Sequence, residues 1–353
     1  MSKAAICVVV PVYKAMATLD RCVESVLAQQ VEGGLTCILV DDGSPDESGA
    51  LCDAWAAKDD RVTVIHQDDL GVSGARNSGL AAADSEFIVF LDSDDALRPG
   101  ALQAALTAQR AAPQDFVVWH YTTDEKDPAA VTADAEPRTQ TGLARLWLDC
   151  LLAMPWNKLY RADLAKQLQF DVQYTLGEDL QFVLDYIALL GQTVPEFGYR
   201  VMTSPLTFYD CSRGGTLSTR YHANYCDIWP KHFAKLNTAC HAAACPAEDM
   251  RPLHRAELQV FAEGVADIMR RDPSPTQRLK GYKAEAALRS PWLRALLERM
   301  KIERCYSAYY LPCRWRNVGL VCRVDEARRA NAPLYGKLDW AGYYLLLGRM
   351  RRD

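Results

Sequence analysis

Phe87-Ile88-Val89-Phe90-Leu91-Asp92-Ser93-Asp94-Asp95 sets an unbroken apolar run directly against three carboxylates within four residues. The run has the length of a strand but does not alternate, which fits a sheet covered on both faces. Working outward, the same form recurs at residues 6–10, 36–40, 62–65 and 116–119. Helix-like segments lie between these runs. Thr18 stands where a helix cap would, ahead of Leu19, Cys22, Val23, Val26 and Leu27 at helical spacing. Leu51 and Trp55 mark a second helix, residues 73–83 a third, and residues 99–110 a fourth, entered through Pro99. This βαβ repetition predicts an α/β fold: a Rossmann-like, mostly parallel sheet flanked by helices, with right-handed crossovers. In such sheets ligands bind at the carboxyl ends of the strands.

Chemistry-bearing residues fall at those ends. Pro11-Val12-Tyr13 follows the first strand, Asp41-Asp42-Gly43-Ser44 the second, and the Asp92–Asp95 segment the fourth. Unpaired carboxylates this close repel one another unless a cation neutralises them. Oxygen ligands suit Mg²⁺ or Mn²⁺, which take one or two carboxylates together with substrate phosphates. Read alone, the segment is equally an acidic turn before a helix. Tyr13 offers a ring for stacking on a base, or packs in the core. Asp42 accepts from a base or ribose, or caps its turn. Arg76, inside the 71–79 segment, faces a diphosphate, or else pairs with Asp84 or solvent. That segment is neither a G-x-G-x-x-G nor a Walker loop. Glu178 and Asp179 open a helix-like run, so they are catalytic carboxylates or favourable charges at a helix start.

The chain has 353 residues, about two domains' worth, with 49% apolar and 24% charged residues. That is the composition of a globular protein. A net charge of −5 argues against a general nucleic-acid binder. The charge is uneven: residues 289–353 carry 14 basic against 6 acidic side chains, and residues 1–288 carry 26 against 39. A basic tail with Arg314, Trp315, Arg316, Arg323, Arg328, Arg329 and, beyond Trp340, Arg349, Arg351 and Arg352 suits an anionic lipid surface. A packing surface in a homo-oligomer is the competing reading. The 12 cysteines include no C-x-x-C pair, so reduced thiols in a cytoplasmic protein are expected; Cys240, His241, Cys245 and His254 form a weak metal cluster at most. No run reaches the roughly 18 apolar residues of a membrane span. After residue 220 the chain reads as mainly helical, broken at Pro246, Pro273, Pro275, Pro291, Pro312 and Pro333.

Taken in order, these segments resemble family 2 glycosyltransferases of the GT-A fold. The resemblance is carried by residues 6–13, by Val40-Asp41-Asp42-Gly43-Ser44-Pro45-Asp46, by the 71–80 segment and by Phe90-Leu91-Asp92-Ser93-Asp94-Asp95. It continues through Trp156-Asn157-Lys158-Leu159-Tyr160 and Gly177-Glu178-Asp179, over about the first 220 residues. Two places depart from the family pattern: Asp69-Leu70, where Asn-Gly is common, and the stretch from Tyr209-Asp210 through Arg213 to Ser218, where a Tyr-Arg segment and Ser-x-Ser are common.

The resemblance implies an inverting, metal-dependent transfer from a nucleotide-diphosphate sugar, with a UDP-sugar as the family's usual donor. The acceptor would be a hydroxyl of a glycan or lipid-linked oligosaccharide in surface polysaccharide synthesis, at the cytoplasmic face of the membrane. Residues 1–120 would hold the nucleotide, residues 121–220 would form the acceptor side, and residues 221–353 a helical region. Pro11, Val12, Tyr13, Asp41, Asp42 and Arg76 would surround the nucleotide. Asp92 and Ser93 would face the ribose or donor sugar. Asp94, assisted by Asp92 and Asp95, would bind Mn²⁺ or Mg²⁺. Asp179 would be the base, with Glu178 orienting it. Trp156 and Lys158 would form the acceptor wall and an anchoring charge, and Arg213 would meet the diphosphate. The other classes to weigh are a catalytically silent nucleotide- or glycan-binding scaffold and a sugar nucleotidyltransferase. Residues 11–17 lack the Gly-rich basic loop expected of the latter, and a dehydrogenase would carry a dinucleotide fingerprint that is missing here.

Overall fold

The computed structural model describes residues 3–174, 176–212 and 220–331. The chain divides into two compact units, Met1–Gly214 and Gly215–Asp353. In the first, β1 (Ala4–Val12), α1 (Leu19–Leu27), β2 (Leu35–Asp42), α2 (Ser48–Lys58), β3 (Val62–Gln67), α3 (Gly71–Ala82) and β4 (Ser85–Phe90) alternate strictly. There follow β5 (Ala96–Leu97), α4 (Ala101–Ala111), β6 (Phe116–Thr122), β7 (Ala135–Thr139), α5 (Leu143–Leu148), β8 (Lys158–Arg161), α6 (Ala162–Ala165), α7 (Glu178–Thr193) and β9 (Gly198–Phe208).

The nine strands form one mixed sheet in the order β3-β2-β1-β4-β8-β6-β9-β5, with β7 on β9. β1 pairs in parallel with β2 and β4, β2 with β3, and β6 with β9. β8 lies antiparallel between β4 and β6, while β5 and β7 run antiparallel to β9. The fold is therefore the expected GT-A arrangement, mostly parallel, with three reversed strands. Residues 6–10 are fully buried, and so are Ile88, Val89 and Phe90. This is why their sequence shows no alternation: helices cover both faces.

Some boundaries move. α4 begins at Ala101, because Gly100 takes a left-handed conformation (φ +79°) ahead of it; Pro99 lies outside the helix. Thr18 occupies the N-cap of α1 but makes no side-chain cap; its hydroxyl donates to the Ala15 carbonyl at 3.5 Å. The polar stretch 122–141 supplies β7, paired with β9, not a hairpin of its own.

The second unit is built of helices: α8 (Tyr225–Ala242), α9 (Ala247–Arg271), α10 (Gln277–Leu288), α11 (Pro291–Glu303), α12 (Tyr310–Arg314) and α13 (Val318–Arg329). Its core gathers Leu258, Phe261, Val265, Leu296, Met300 and Tyr309. Pro246 is the N-cap of α9 and Pro291 opens α11, where a missing N–H costs nothing. Pro312 sits in the first turn of α12 and does not break it. Pro333 and the Trp340–Arg352 part of the basic tail lie outside the described residues. No disulfide joins the cysteines, and no helix among the described residues is long and apolar enough to cross a membrane.

The helix that delivers Arg76 packs against β1 through a glycine. A Cβ placed on Gly79 would lie 2.3 Å from Val9 Cγ1. Gly79→Ala is expected to lower stability by about 1–3 kcal/mol through overpacking. A denaturant midpoint equal to the unsubstituted protein's would refute this reading of the contact.

Candidate active site

The shared strand direction brings the carboxyl ends of β1, β2, β4, β6 and β9 to one edge. Val12 pairs with Asp41 in register, and Asp42 with Gln67. At this edge Pro11 and Val12 are buried, while Tyr13 is 45% exposed. The Lys14 ammonium lies 5.0 Å from the Tyr13 ring. The carboxylates of β2 both already accept within the protein. Asp41 accepts from Ser44 N at 3.1 Å and meets His66 Nδ1 at 3.0 Å. Burial raises the Asp41 pKa, but the bonds from Ser44 and His66 outweigh it, and the net shift is downward. Asp42 Oδ1 accepts from Gln67 Nε2 at 2.7 Å and Leu70 N at 3.0 Å, which ties it to the loop ahead of α3.

Arg76 is the hub. It is 3% exposed, yet Nη1 donates to Asp179 Oδ1 at 2.6 Å, Nη2 donates to Asp92 Oδ1 at 2.8 Å, and Glu178 Oε1 lies 3.8 Å from Nη1. The guanidinium sits over the Phe170 ring, 5.4 Å from its centroid. Asn77, its neighbour on α3, holds Phe170 in both directions, donating to its carbonyl at 2.9 Å and accepting from its N–H at 2.8 Å. Expected beside the diphosphate, Arg76 instead gives both terminal nitrogens to carboxylates, which offset the cost of burying its charge. For Asp179, burial raises the pKa more than Arg76 lowers it, and Glu178 and Asp92 raise it further, to about 8. Gly177, in a left-handed conformation (φ +78°), is the N-cap of α7 and places Glu178 and Asp179 in its first turn.

Beyond Asp92 the chain turns sharply. Ser93 and Asp94 are half-buried and Asp95 is fully buried. Asp95 Oδ1 accepts from Asp210 N at 3.0 Å, and its Oδ2 has no partner. Burial, then the neighbouring Asp92, pushes the Asp95 pKa up to about 9. Arg21 on α1 donates from Nη2 to the Asp94 carbonyl at 2.5 Å and to Asp210 Oδ2 at 2.7 Å. An orphaned carboxylate oxygen beside two further carboxylates fits a hard cation. The fit is to an ion taking one or two protein oxygens: among the described residues, only His254, Glu303 and Cys305 bring three potential ligand atoms within 4.8 Å of one another. The Cys240, His241, Cys245 and His254 grouping, read as a weak metal cluster at most, is not this set. His254 is held by Glu303 at 2.6 Å and Asn237 at 3.1 Å.

The acceptor-side pair is also corrected. Lys158 is completely buried, and its ammonium donates to Leu151 O at 2.7 Å, Met154 O at 2.5 Å and Asn157 Oδ1 at 2.5 Å. It cannot anchor an acceptor, and burial pushes its pKa well down. Trp156 is 3% exposed and stacks on Tyr209 (5.4 Å, 17°), with Tyr121 edge-on at 5.3 Å. It supports a wall without forming its open face. Arg213 lies outside the described residues. Sequence reasoning missed Arg21, His66, Phe170 and Asp210, whose roles come from partners far away along the chain.

A family model described as glycosyl transferase family 2 matches residues 7–169. Residues 7–169 are a family 2 glycosyltransferase domain. Glycosyltransferase GlyG of Streptococcus pneumoniae is 39% identical over 124 residues, 35% of this chain and 41% of that protein. Succinoglycan biosynthesis protein ExoO of Rhizobium meliloti is 31% identical over 211 residues, 54% of this chain and 58% of its own. The chain thus spans about half the length of these relatives. The crystal structure of S. aureus TarS 1–349 in complex with UDP-GlcNAc superposes with a TM-score of 0.61 at 16% identity, over 93% of this chain and 92% of that one. At that identity the likeness speaks for the GT-A fold of the transferase domain alone.

If Lys158 is structural, Lys158→Met should leave buried carbonyls without a donor and cost about 1–3 kcal/mol. A fall in Tm checks this. An unchanged Tm with a raised acceptor KM would restore the anchoring reading.

Proposed function

We propose that the chain transfers a sugar, with inversion, from a nucleotide-diphosphate donor to a hydroxyl of a glycan or lipid-linked oligosaccharide. The observation that carries this is the buried Arg76, which holds Asp92 at the donor edge and Asp179 at the start of α7 within one ion cluster. Such a cluster sets a donor-side carboxylate and a base of raised pKa on either side of one guanidinium.

In this reading Tyr13 stacks on the base, Asp42 accepts from the nucleoside, and Asp92 with Ser93 faces the ribose and sugar. Asp94, with Asp92, would hold Mn²⁺ or Mg²⁺, which when bound would offset the charge of the departing diphosphate. The acceptor oxygen forms its bond to the anomeric carbon as the carbon–diphosphate bond breaks. Asp179 takes the acceptor proton, and Glu178 and Arg76 fix where its carboxylate points. Residues 1–120 serve the donor, residues 121–220 the acceptor side, and the helical part follows. A UDP-sugar is the proposed donor, in keeping with the UDP-GlcNAc bound to TarS. Surface polysaccharide synthesis is the proposed setting, as ExoO's name suggests, with the chain at the cytoplasmic face of a membrane. A silent scaffold would have no use for a half-buried carboxylate kept basic beside an arginine.

The test is nucleoside diphosphate release from a panel of nucleotide sugars, with Mn²⁺, Mg²⁺ or chelator. One donor should be turned over, and chelator should stop it. Asp94→Ala should abolish metal stimulation, and Asp179→Asn should cost about 10²–10⁴-fold in kcat. Asp179 works only when deprotonated, so kcat/KM should rise with pH and level off above about 8. Full turnover by Asp179→Asn would remove it as the base. Donor binding without release in any arm would favour the scaffold.

A further inference from the structure

We infer that a groove in the helical unit holds the phosphate of a lipid head group. The groove, of about 350 Å³, runs between the start of α11 and the turn after α12. Its floor is apolar: Leu288, Leu293, Leu297 and Cys313 are all buried. Its rim is cationic, formed by Arg289, Arg294, Arg314 and Arg316, with Glu298 the one acid.

The pairing of these charges decides the reading. Glu298 Oε1 accepts from Arg314 Nη1 at 2.9 Å, and Arg289 reaches Glu285 only at 3.5 Å. Arg294 and Arg316 have no carboxylate partner among the described residues, and both are exposed. The groove therefore keeps an excess of positive charge that no described residue neutralises. Arginine is the side chain best shaped to grip phosphate oxygens in pairs. Arg316 is also held in place: it takes the left-handed conformation (φ +54°) usually given to glycine after a helix. The turn is closed by Arg316 N donating to Cys313 O at 3.0 Å and Asn317 N donating to Pro312 O at 2.9 Å.

A soluble phosphate ester would need only the rim. A lipid phosphate also uses the apolar surroundings. Trp315, between the two rim arginines, is 63% exposed, and Ile302, one turn beyond Glu298 on α11, is 82% exposed. An open indole among arginines is the chemistry of a membrane interface. The inference stands apart from sugar transfer, since its test contains no donor.

The experiment is co-sedimentation of the full chain with phosphatidylcholine vesicles, with and without phosphatidylglycerol. Binding should require the anionic lipid. The double variant Arg294→Ala/Arg316→Ala should lower the partition coefficient on the order of 30-fold, the loss expected for two arginines at a membrane surface. Lys231→Ala/Arg278→Ala removes the same charge outside the groove and should have a far smaller effect. An unchanged melting curve shows that the variants are folded. Trp315→Ala should weaken binding without altering charge. Equal losses in both double variants would overturn the groove, as would binding that survives the groove variant and disappears only on truncation after residue 331. Glycerol 3-phosphate binding the chain as tightly as the vesicles do would overturn the lipid assignment.

Discussion

A single buried arginine governs how the carboxylate-rich edge of the sheet is built. Arg76 is almost wholly withdrawn from water, and an isolated charge there would cost several kcal/mol. Asp92, Asp179 and Glu178 offset that cost, and burial in turn strengthens each attraction. Their combined attraction outweighs the burial that would lower the Arg76 pKa and raises it instead. The arrangement carries a strong constraint, because removing one partner of a buried pair commonly costs about 3–5 kcal/mol. Helix α3 must therefore keep its seat on β1, which explains why glycine is needed at position 79.

The same logic fixes the cation side by backbone as well as side chain. Strand β4 ends at Phe90, so Asp92 to Asp95 lie on a turn whose carbonyls and carboxylates are held from elsewhere. Arg21 takes the Asp94 carbonyl, Cys22 Sγ lies 3.6 Å from the Asp92 carbonyl, and the Asp210 N–H takes Asp95. The orphaned Asp95 Oδ2 is the mark of a site built with capacity to spare.

The parallel core was legible in the sequence because its strands are buried on both faces, which writes them as unbroken apolar runs. The acidic strand end was legible for a related reason: three carboxylates in four residues need some external compensation. What escaped was everything set by tertiary partners. Lys158 sits in a motif but is consumed by three acceptors on its own loop, a fact that spacing cannot express. Arg76 reads as a free cation until Asp179, 103 residues away, is brought to it. Strand β8 is only four residues long and reversed, so it gave no periodicity to detect. Pro312 was expected to break a helix and does not, because the first turn has no use for its N–H.

Tyr209 and Asp210 show how the two sides of the site are joined. They are adjacent at the end of β9, yet they face different clusters. Tyr209 stacks on Trp156, whose loop leads into β8 and rests on the buried Lys158. Asp210 gives its N–H to Asp95 and its carboxylate to Arg21, which in turn holds Asp94. A shift of β9 toward or away from the Trp156 stack must therefore stretch bonds that hold Asp94 and Asp95. Close packing resists such shifts, since a gap of even 0.5–1 Å loses about a quarter to a half of a contact's attraction. Tyr209-Asp210 thus carries contacts that reach both the aromatic stack and the acidic turn. They make the rigidity of the acidic turn depend on the aromatic stack.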